Sequence, residues 1–179
     1  MKTMQGSMVA ALAAVSAMGV GMAAEDGGVS GRGPIAGVRT TTVVVAAADA
    51  PAHVRAAADV VCPGTDDHLV INAAVAGLPE VGGRVHLTGG SYSIGAVAGT
   101  FGGVIIARSN VLLTGEGSAT RLRLQDGLTD INVIWIRGDL QDVTVRDLFI
   151  NGNAKNQVPW IRERSEWNGN NGIKIINPA

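Results

Sequence analysis

From residue 82 to residue 176 the apolar positions come in short runs, each closed by Gly, Asn or Asp. Arg84-Val85-His86-Leu87 runs into Gly89-Gly90, and Tyr92-Ser93-Ile94 stops at Gly95. Val104-Ile105-Ile106 precedes Asn110, Val111-Leu112-Leu113 meets Gly115-Glu116-Gly117, and Arg121-Leu122-Arg123-Leu124 alternates. Val133-Ile134-Trp135-Ile136 ends near Gly138. Val143-Thr144-Val145-Arg146 leads through Leu148-Phe149-Ile150 to Asn151-Gly152-Asn153, and Gly172-Ile173-Lys174-Ile175-Ile176 comes last. Runs of this kind, rich in β-branched residues and bounded by turn formers, predict short strands. The stretch TTTVVV over residues 40–45 predicts one earlier strand.

Two stretches before residue 82 read as helical. Ala-rich residues 52–58 predict a helical turn or two. Residues 65–78 predict the main helix. Thr65, Asp66 and Asp67 offer capping oxygens and acidic charge at its start. Ile71, Ala74, Val75 and Leu78 fall at i, i+3, i+4 and i+7 on one apolar face, and Gly77 and Pro79 end it. As neighbouring carboxylates Asp66 and Asp67 also suit a metal or an acid/base pair, but their place at the helix start favours capping.

The strands show weak self-similarity. Asn110-Val111-Leu112-Leu113 matches Asp142-Val143-Thr144-Val145 at an offset of 32 (143 − 111), and Val133-Ile134-Trp135-Ile136 matches Gly172-Ile173-Lys174-Ile175 at 39 (173 − 134). Short strands repeating at this spacing predict an all-β solenoid, a single-stranded parallel β-helix, with an insertion in the second coil. The helix at 65–78 is then expected to be an N-terminal capping α-helix that covers the open edge of the first coil. A last strand running into Asn177-Pro178-Ala179, with no second cap, reads as a β-helix truncated at its C-terminus.

Composition sharpens this picture. The 179 residues include 25 Gly but only 3% aromatics, as a narrow aliphatic interior with many turns requires. Gly lacks a three-residue period, so collagen is excluded. A net charge of −1 removes the basic excess of a nucleic-acid binder, and 46% hydrophobic residues exclude wholesale disorder. The single Cys62 rules out an intrachain disulfide framework and reads as a small buried apolar residue. One Cys with the scattered His53, His68 and His86 leaves no zinc spacing.

The start of the chain reads differently. Lys2 precedes an uncharged, small-residue stretch over 8–24, and Ala23 or Ala24 suits signal-peptidase cleavage, so residues 1–24 read as a signal peptide or a disordered leader. This stretch is too short and too rich in Ala and Gly for a membrane span. Residues 25–40, Gly-rich with Pro34, read as a linker, and 41–179 as the cap and first coils. A signal peptide implies a secreted or cell-surface protein.

Residues 58–68 (ADVVCPGTDDH), Ile71-Asn72-Ala73-Ala74, Leu78-Pro79, Gly82-Gly83-Arg84-Val85-His86-Leu87 and Gly90-Ser91-Tyr92-Ser93-Ile94 together resemble the N-terminal entry of pectate-lyase-like right-handed parallel β-helix proteins. Asn110 to Gly117 and Val143 to Asn153 continue the likeness, which covers residues 43–177. That superfamily includes pectate lyases, polygalacturonases, mannuronan epimerases and phage tailspike depolymerases. The resemblance implies a protein that acts on or binds an acidic polysaccharide, with calcium in a full-length lyase. For a tailspike-like or adhesive relative it implies glycan binding without turnover, a homotrimer and a place on a virion. In the relatives the catalytic groups sit on later coils, so no catalytic residue carries over, and an inactive truncated fragment is the third reading.

Candidate binding residues come from the insertion at 154–170, AKNQVPWIRERSEWNGN. It holds Trp160 and Trp167, whose flat faces suit a sugar ring. Arg162 and Arg164 suit a uronate carboxylate, and Glu163 and Glu166 suit acid/base work. Arg121, Arg123, Arg137 and Arg146 lie on or beside strands, where an outward basic stripe competes with local pairing to Asp139, Asp142 or Asp147. Asn151-Gly152-Asn153 reads as a turn before it reads as a sugar contact, and Trp135 as a packed residue among aliphatics.

Overall fold

The computed structural model describes residues 41–158 and 170–176. The leader and linker expected over 1–24 and 25–40 lie outside them. β1 (Thr41–Ala46) takes up the β-branched run, and α1 (Ala52–Ala57) the Ala-rich stretch. A two-residue strand that the sequence pattern does not reveal, β2 (Val60–Val61), precedes α2 (Asp67–Ala76). Then follow β3 (Gly83–Leu87), β4 (Gly90–Ile94), β5 (Gly102–Ile106), β6 (Val111–Leu124), β7 (Asn132–Arg137), β8 (Val143–Asn151), a 3-10 turn at Ala154–Asn156, and β9 (Ile173–Ile176).

Strands β1 to β9 pair in parallel. One sheet has the order β2-β1-β3-β6-β4, with β8 also on β6, and the other is β5-β7-β9. The offsets read from the sequence appear as registers, Val111 opposite Val143 and Ile134 opposite Ile173. The all-β solenoid expected from them does not. The sheets are open, neither closed nor curled, and with two helices beside them the described residues form a mixed α/β arrangement rather than a β-helix. One reason lies in β6. It runs unbroken through Gly115-Glu116-Gly117, where the sequence pattern predicts a corner, and so joins what would be separate faces into one sheet. Register shifts between Thr114 and Gly117, and between Gly117 and Arg121, absorb the mismatch with β8.

Parallel registry stacks like on like. Val43, Val85, Leu113 and Val145 form one inward row, Tyr92, Leu122 and Ile150 another, and Val104 and Ile134 a third, with Ile173 in register beyond them on β9 but exposed. Each fully buried aliphatic side chain contributes about 1.5–3 kcal/mol. α2 buries the expected face, Ile71, Ala74 and Val75, with Leu78 just beyond it, chiefly against β4 and β5. Asn72 joins helix to sheet. Its Nδ2 donates to the Gly103 carbonyl (2.9 Å) and its Oδ1 accepts from the Ile105 amide (2.8 Å), two bonds of the kind a neighbouring strand would make to β5. At the other end of α2, the Arg108 guanidinium donates to the carbonyl of Ala76 (3.2 Å), the last helical residue, and to that of Leu78 (2.7 Å) just beyond the helix.

The start of α2 corrects the capping expectation. Asp66 is the N-cap residue, but it adopts a left-handed backbone (φ 53°) and makes no side-chain cap bond. Its Oδ1 accepts instead from Gln125 Nε2 at 2.9 Å. Asp67 is fully buried, and its two oxygens accept the backbone amides of Gly64 and Ser93, each at 2.7 Å. The carboxylate thus ties the turn before α2 to β4. Next to it, His68 Nδ1 accepts from the Gly95 amide (3.0 Å), which fixes that nitrogen as unprotonated. Burial lowers the His68 pKa, against the opposing charges of Asp66 and Asp67 and a bond with the Ala96 backbone. Burial, and then the Asp67 charge, push the Cys62 thiol up to about 12, in line with the inert apolar role expected of it.

Three outcomes follow from this packing. Asn72→Ala leaves the Ile105 amide and the Gly103 carbonyl unpaired and lowers unfolding free energy by roughly 2–3 kcal/mol. Urea denaturation measures this, and a loss below about 0.5 kcal/mol contradicts the tie. The depressed pKa of His68 means that the unfolded chain takes up this proton first. Its contribution is therefore intact above the unfolded value of 6.5 and is lost as pH falls through 6.5 toward the lower folded value. The thermal midpoint should fall between about pH 8 and about pH 5, and His68→Asn, which keeps an acceptor toward Gly95, should flatten that fall; an equal fall in both proteins contradicts the assignment. The Cys62 thiol should resist an aromatic disulfide reagent at about pH 8 until denaturant is added. Rapid labelling of the native protein contradicts its burial.

Candidate functional site

Strand alternation that turns Val43, Val85, Leu113 and Val145 inward turns their neighbours outward. Thr42, Arg84, Leu112 and Thr144 are therefore in register across β1, β3, β6 and β8 on the opposite face of the sheet. Just before this row, the chain enters β3, β6 and β8 through left-handed residues, Gly82 (φ 91°), Asn110 (φ 59°) and Asp142 (φ 54°). Glycine carries no side chain into that region, and Asn and Asp tolerate it best among the others. At Gly82 there is a second constraint, since a Cβ would collide with the Asn110 carbonyl oxygen. The same carbonyl accepts the Gly83 amide at 2.9 Å, and the Asn110 amide donates to the Gln141 carbonyl at 2.9 Å.

Over these two rows lies an open groove of about 520 Å³, lined by Thr42, Arg84, Asn110, Leu112, Asp142 and Thr144 among others. Arg84 is its one cation among the described residues. Its Nε donates to Thr114 Oγ1 (2.9 Å) and its Nη2 to His86 Nδ1 (2.9 Å). Thr114 is buried, and His86 Nε2 faces Glu116 Oε1 at 3.7 Å. A guanidinium has five N–H donors, and these bonds use two, so three remain for a ligand. No described carboxylate stands within ion-pair distance of Arg84, or any described cation within that distance of Asp142.

The residues expected from the sequence to bind sugar, Trp160, Arg162, Arg164 and Trp167, with Glu163 and Glu166, lie outside the described residues. The expected arginine stripe is dispersed. Arg121 and Arg123 share the outward face of β6, but Arg123 pairs with Asp126 (2.7 Å) and Arg121 donates to the Ser118 carbonyl (3.2 Å). The Asn153 amide first, and then Arg123, hold the Asp126 carboxyl below its usual range. Arg146 faces Asp147 at 3.6 Å, and Arg137 lies on the other sheet, 4.9 Å over the Trp135 ring. Trp135 itself meets Phe101 edge-on at 6.4 Å.

Asn151-Gly152-Asn153 is a turn. Asn153 is left-handed (φ 51°), its amide bonds Asn151 Oδ1 (2.8 Å), and its Nδ2 bonds the Leu124 carbonyl (3.0 Å) and Asp126 Oδ1 (2.6 Å). Asp66 and Asp67, the adjacent carboxylates, do not fit a calcium ion: both Asp67 oxygens and Asp66 Oδ1 already accept N–H bonds from the chain. Among the described residues no three His, Cys, Asp or Glu gather as a metal site.

Arg84 is the groove residue that sequence reasoning passed over. The alternation in Arg84-Val85-His86-Leu87 marks Arg84 and His86 as outward. Nothing local says that they stack beside Thr42, Thr114 and Thr144, which are 28 to 60 positions away (114 − 86; 144 − 84). No helix among the described residues is long and apolar enough to cross a membrane. No family model matches the chain, and no curated protein or solved structure shows significant similarity to it.

Proposed function

We propose that this protein binds an acidic polysaccharide through the groove over the starts of β1, β3, β6 and β8. The observation that carries the reading is the state of Arg84, a cation facing the groove with three free donors and no carboxylate partner among the described residues. Two bonds hold its fork in place. A planar guanidinium so held suits the two oxygens of a uronate carboxylate. The Thr42 and Thr144 hydroxyls and the Asn110 amide suit ring hydroxyls, and Leu112 suits the apolar C–H face of a sugar. The hydroxyl and amide groups beside the cation favour a sugar acid over a simple inorganic anion.

Affinity electrophoresis tests the reading. The protein should be retarded in gels containing polygalacturonate or hyaluronan but not in gels containing neutral dextran. Arg84→Ala should abolish the retardation, and Arg84→Lys, which keeps the charge but not the fork, should restore only part of it. Added salt should weaken binding, because the groove is open to solvent. Equal mobility of the unaltered protein in all three gels, or full retardation of a folded Arg84→Ala variant, refutes the proposal.

A further inference from the structure

Arg84 is aimed by two neighbours, and one of them titrates. His86 stands two residues further along β3, and Thr114 lies in register with His86 on β6. The three side chains form a triangle, with Arg84 Nη2 to His86 Nδ1 at 2.9 Å, Arg84 Nε to Thr114 Oγ1 at 2.9 Å, and Thr114 Oγ1 to His86 Nδ1 at 3.1 Å. A guanidinium can only donate, so Nδ1 accepts and carries no proton, and the N–H of the neutral ring is at Nε2. Across the ring, Nε2 faces Glu116 Oε1 at 3.7 Å. On the flanking strands, Arg146 of β8, in register with Thr114, pairs with Asp147 at 3.6 Å. On β1 the uncharged Val44 is in register with His86, and its amide takes up the Asp59 carboxylate at 2.7 Å.

We infer that His86 is a positioning residue for Arg84 and gates the groove by pH, which holds an acidic polysaccharide while His86 is neutral and loosens when His86 takes up a proton. The inference rests on the acidic-polysaccharide reading above and adds the regulation of that site. In an imidazolium both ring nitrogens donate. Nδ1 then turns an N–H on Arg84 Nη2, which loses its acceptor and meets a like charge. Only 20% of the His86 side chain is exposed, so solvent screens this repulsion incompletely. Glu116 steadies the new charge from the far side of the ring, and Arg84 is the group that gives way. Held by Thr114 alone, its fork swings and no longer matches both oxygens of a carboxylate. The proton also adds a positive charge, but His86 does not line the groove, and Glu116 offsets it.

Titration calorimetry with hexagalacturonate at fixed ionic strength tests this between about pH 8 and about pH 5.5, where uronate carboxylates stay ionised and imidazoles titrate. The affinity of the unaltered protein should fall several-fold across that range. His86→Asn keeps an acceptor toward Arg84 but cannot titrate, so its affinity should change little with pH. His53 and His68 are common to both proteins and cancel in the comparison. Proton exchange gives a second measurement that needs no variant. Titrations at about pH 6.5 in buffers of different ionisation enthalpy should show protons released on binding, because the bound state excludes the imidazolium. Attraction between a carboxylate and His86 by charge alone predicts the reverse, proton uptake. An affinity that stays flat or rises as pH falls, an equal fall in a folded His86→Asn variant, or proton uptake on binding overturns the inference and leaves the acidic-polysaccharide reading standing. No binding by the unaltered protein at about pH 8 overturns that reading itself.

Discussion

The register of four parallel strands underlies both the core and the groove. β1, β3, β6 and β8 align so that Val43, Val85, Leu113 and Val145 share one face, while Thr42, Arg84, Leu112 and Thr144 share the other. A slip of one residue in any strand exchanges its two faces. It would bury Arg84 or Thr144 and expose a valine. The burial that stabilises the inward row therefore also holds the outward row in line. The left-handed entries at Gly82, Asn110 and Asp142 repeat at matching positions and start each strand at the same level.

Around this register, buried polar groups serve as ties. Asp67 holds the turn before α2 to β4 through two amides, Asn72 holds the helix to β5, and Arg108 takes up carbonyls at its far end. The Tyr92 hydroxyl, fully buried, stands 2.9 Å from the Val45 carbonyl and 3.0 Å from that of Thr88, so its single proton links β4 to β1 or to the turn after β3. Burial raises its pKa and keeps that proton in place. Each such group replaces a lost bond to water, and removing its partner leaves a buried donor or acceptor unsatisfied. These ties explain why α2 sits where its apolar face alone would leave it free to slide.

The candidate site was less legible than the fold elements. Tryptophan and arginine in an inserted segment draw attention because their chemistry is visible residue by residue. The groove has no such local signature. Its arginine looks like one of several on strands, and its threonines look like ordinary β-formers. What distinguishes Arg84 from Arg123 is whether a carboxylate stands nearby: Asp126, three residues on, neutralises Arg123, whereas no described carboxylate reaches Arg84. Sequence spacing displays the first fact and conceals the second.

Local physical chemistry was enough to place most of the strands, though not β2 or the continuity of β6, and the main helix with its buried face and the buried thiol. Those depend on period, backbone preference and immediate neighbours. It also determined two strand offsets, because matched aliphatic runs seek one another in parallel registry. Tertiary structure decided the rest. The strands form open sheets rather than a solenoid, with β6 continuing through an expected corner, because a run of Gly is compatible with a turn but does not require one. Asp67 is a tie rather than a cap, because its amide partners lie on both sides of it in the chain, one of them 26 residues away on β4. Arg84 and Asp142 face one groove because cross-strand distance is set by pairing, and pairing is settled by the whole core at once.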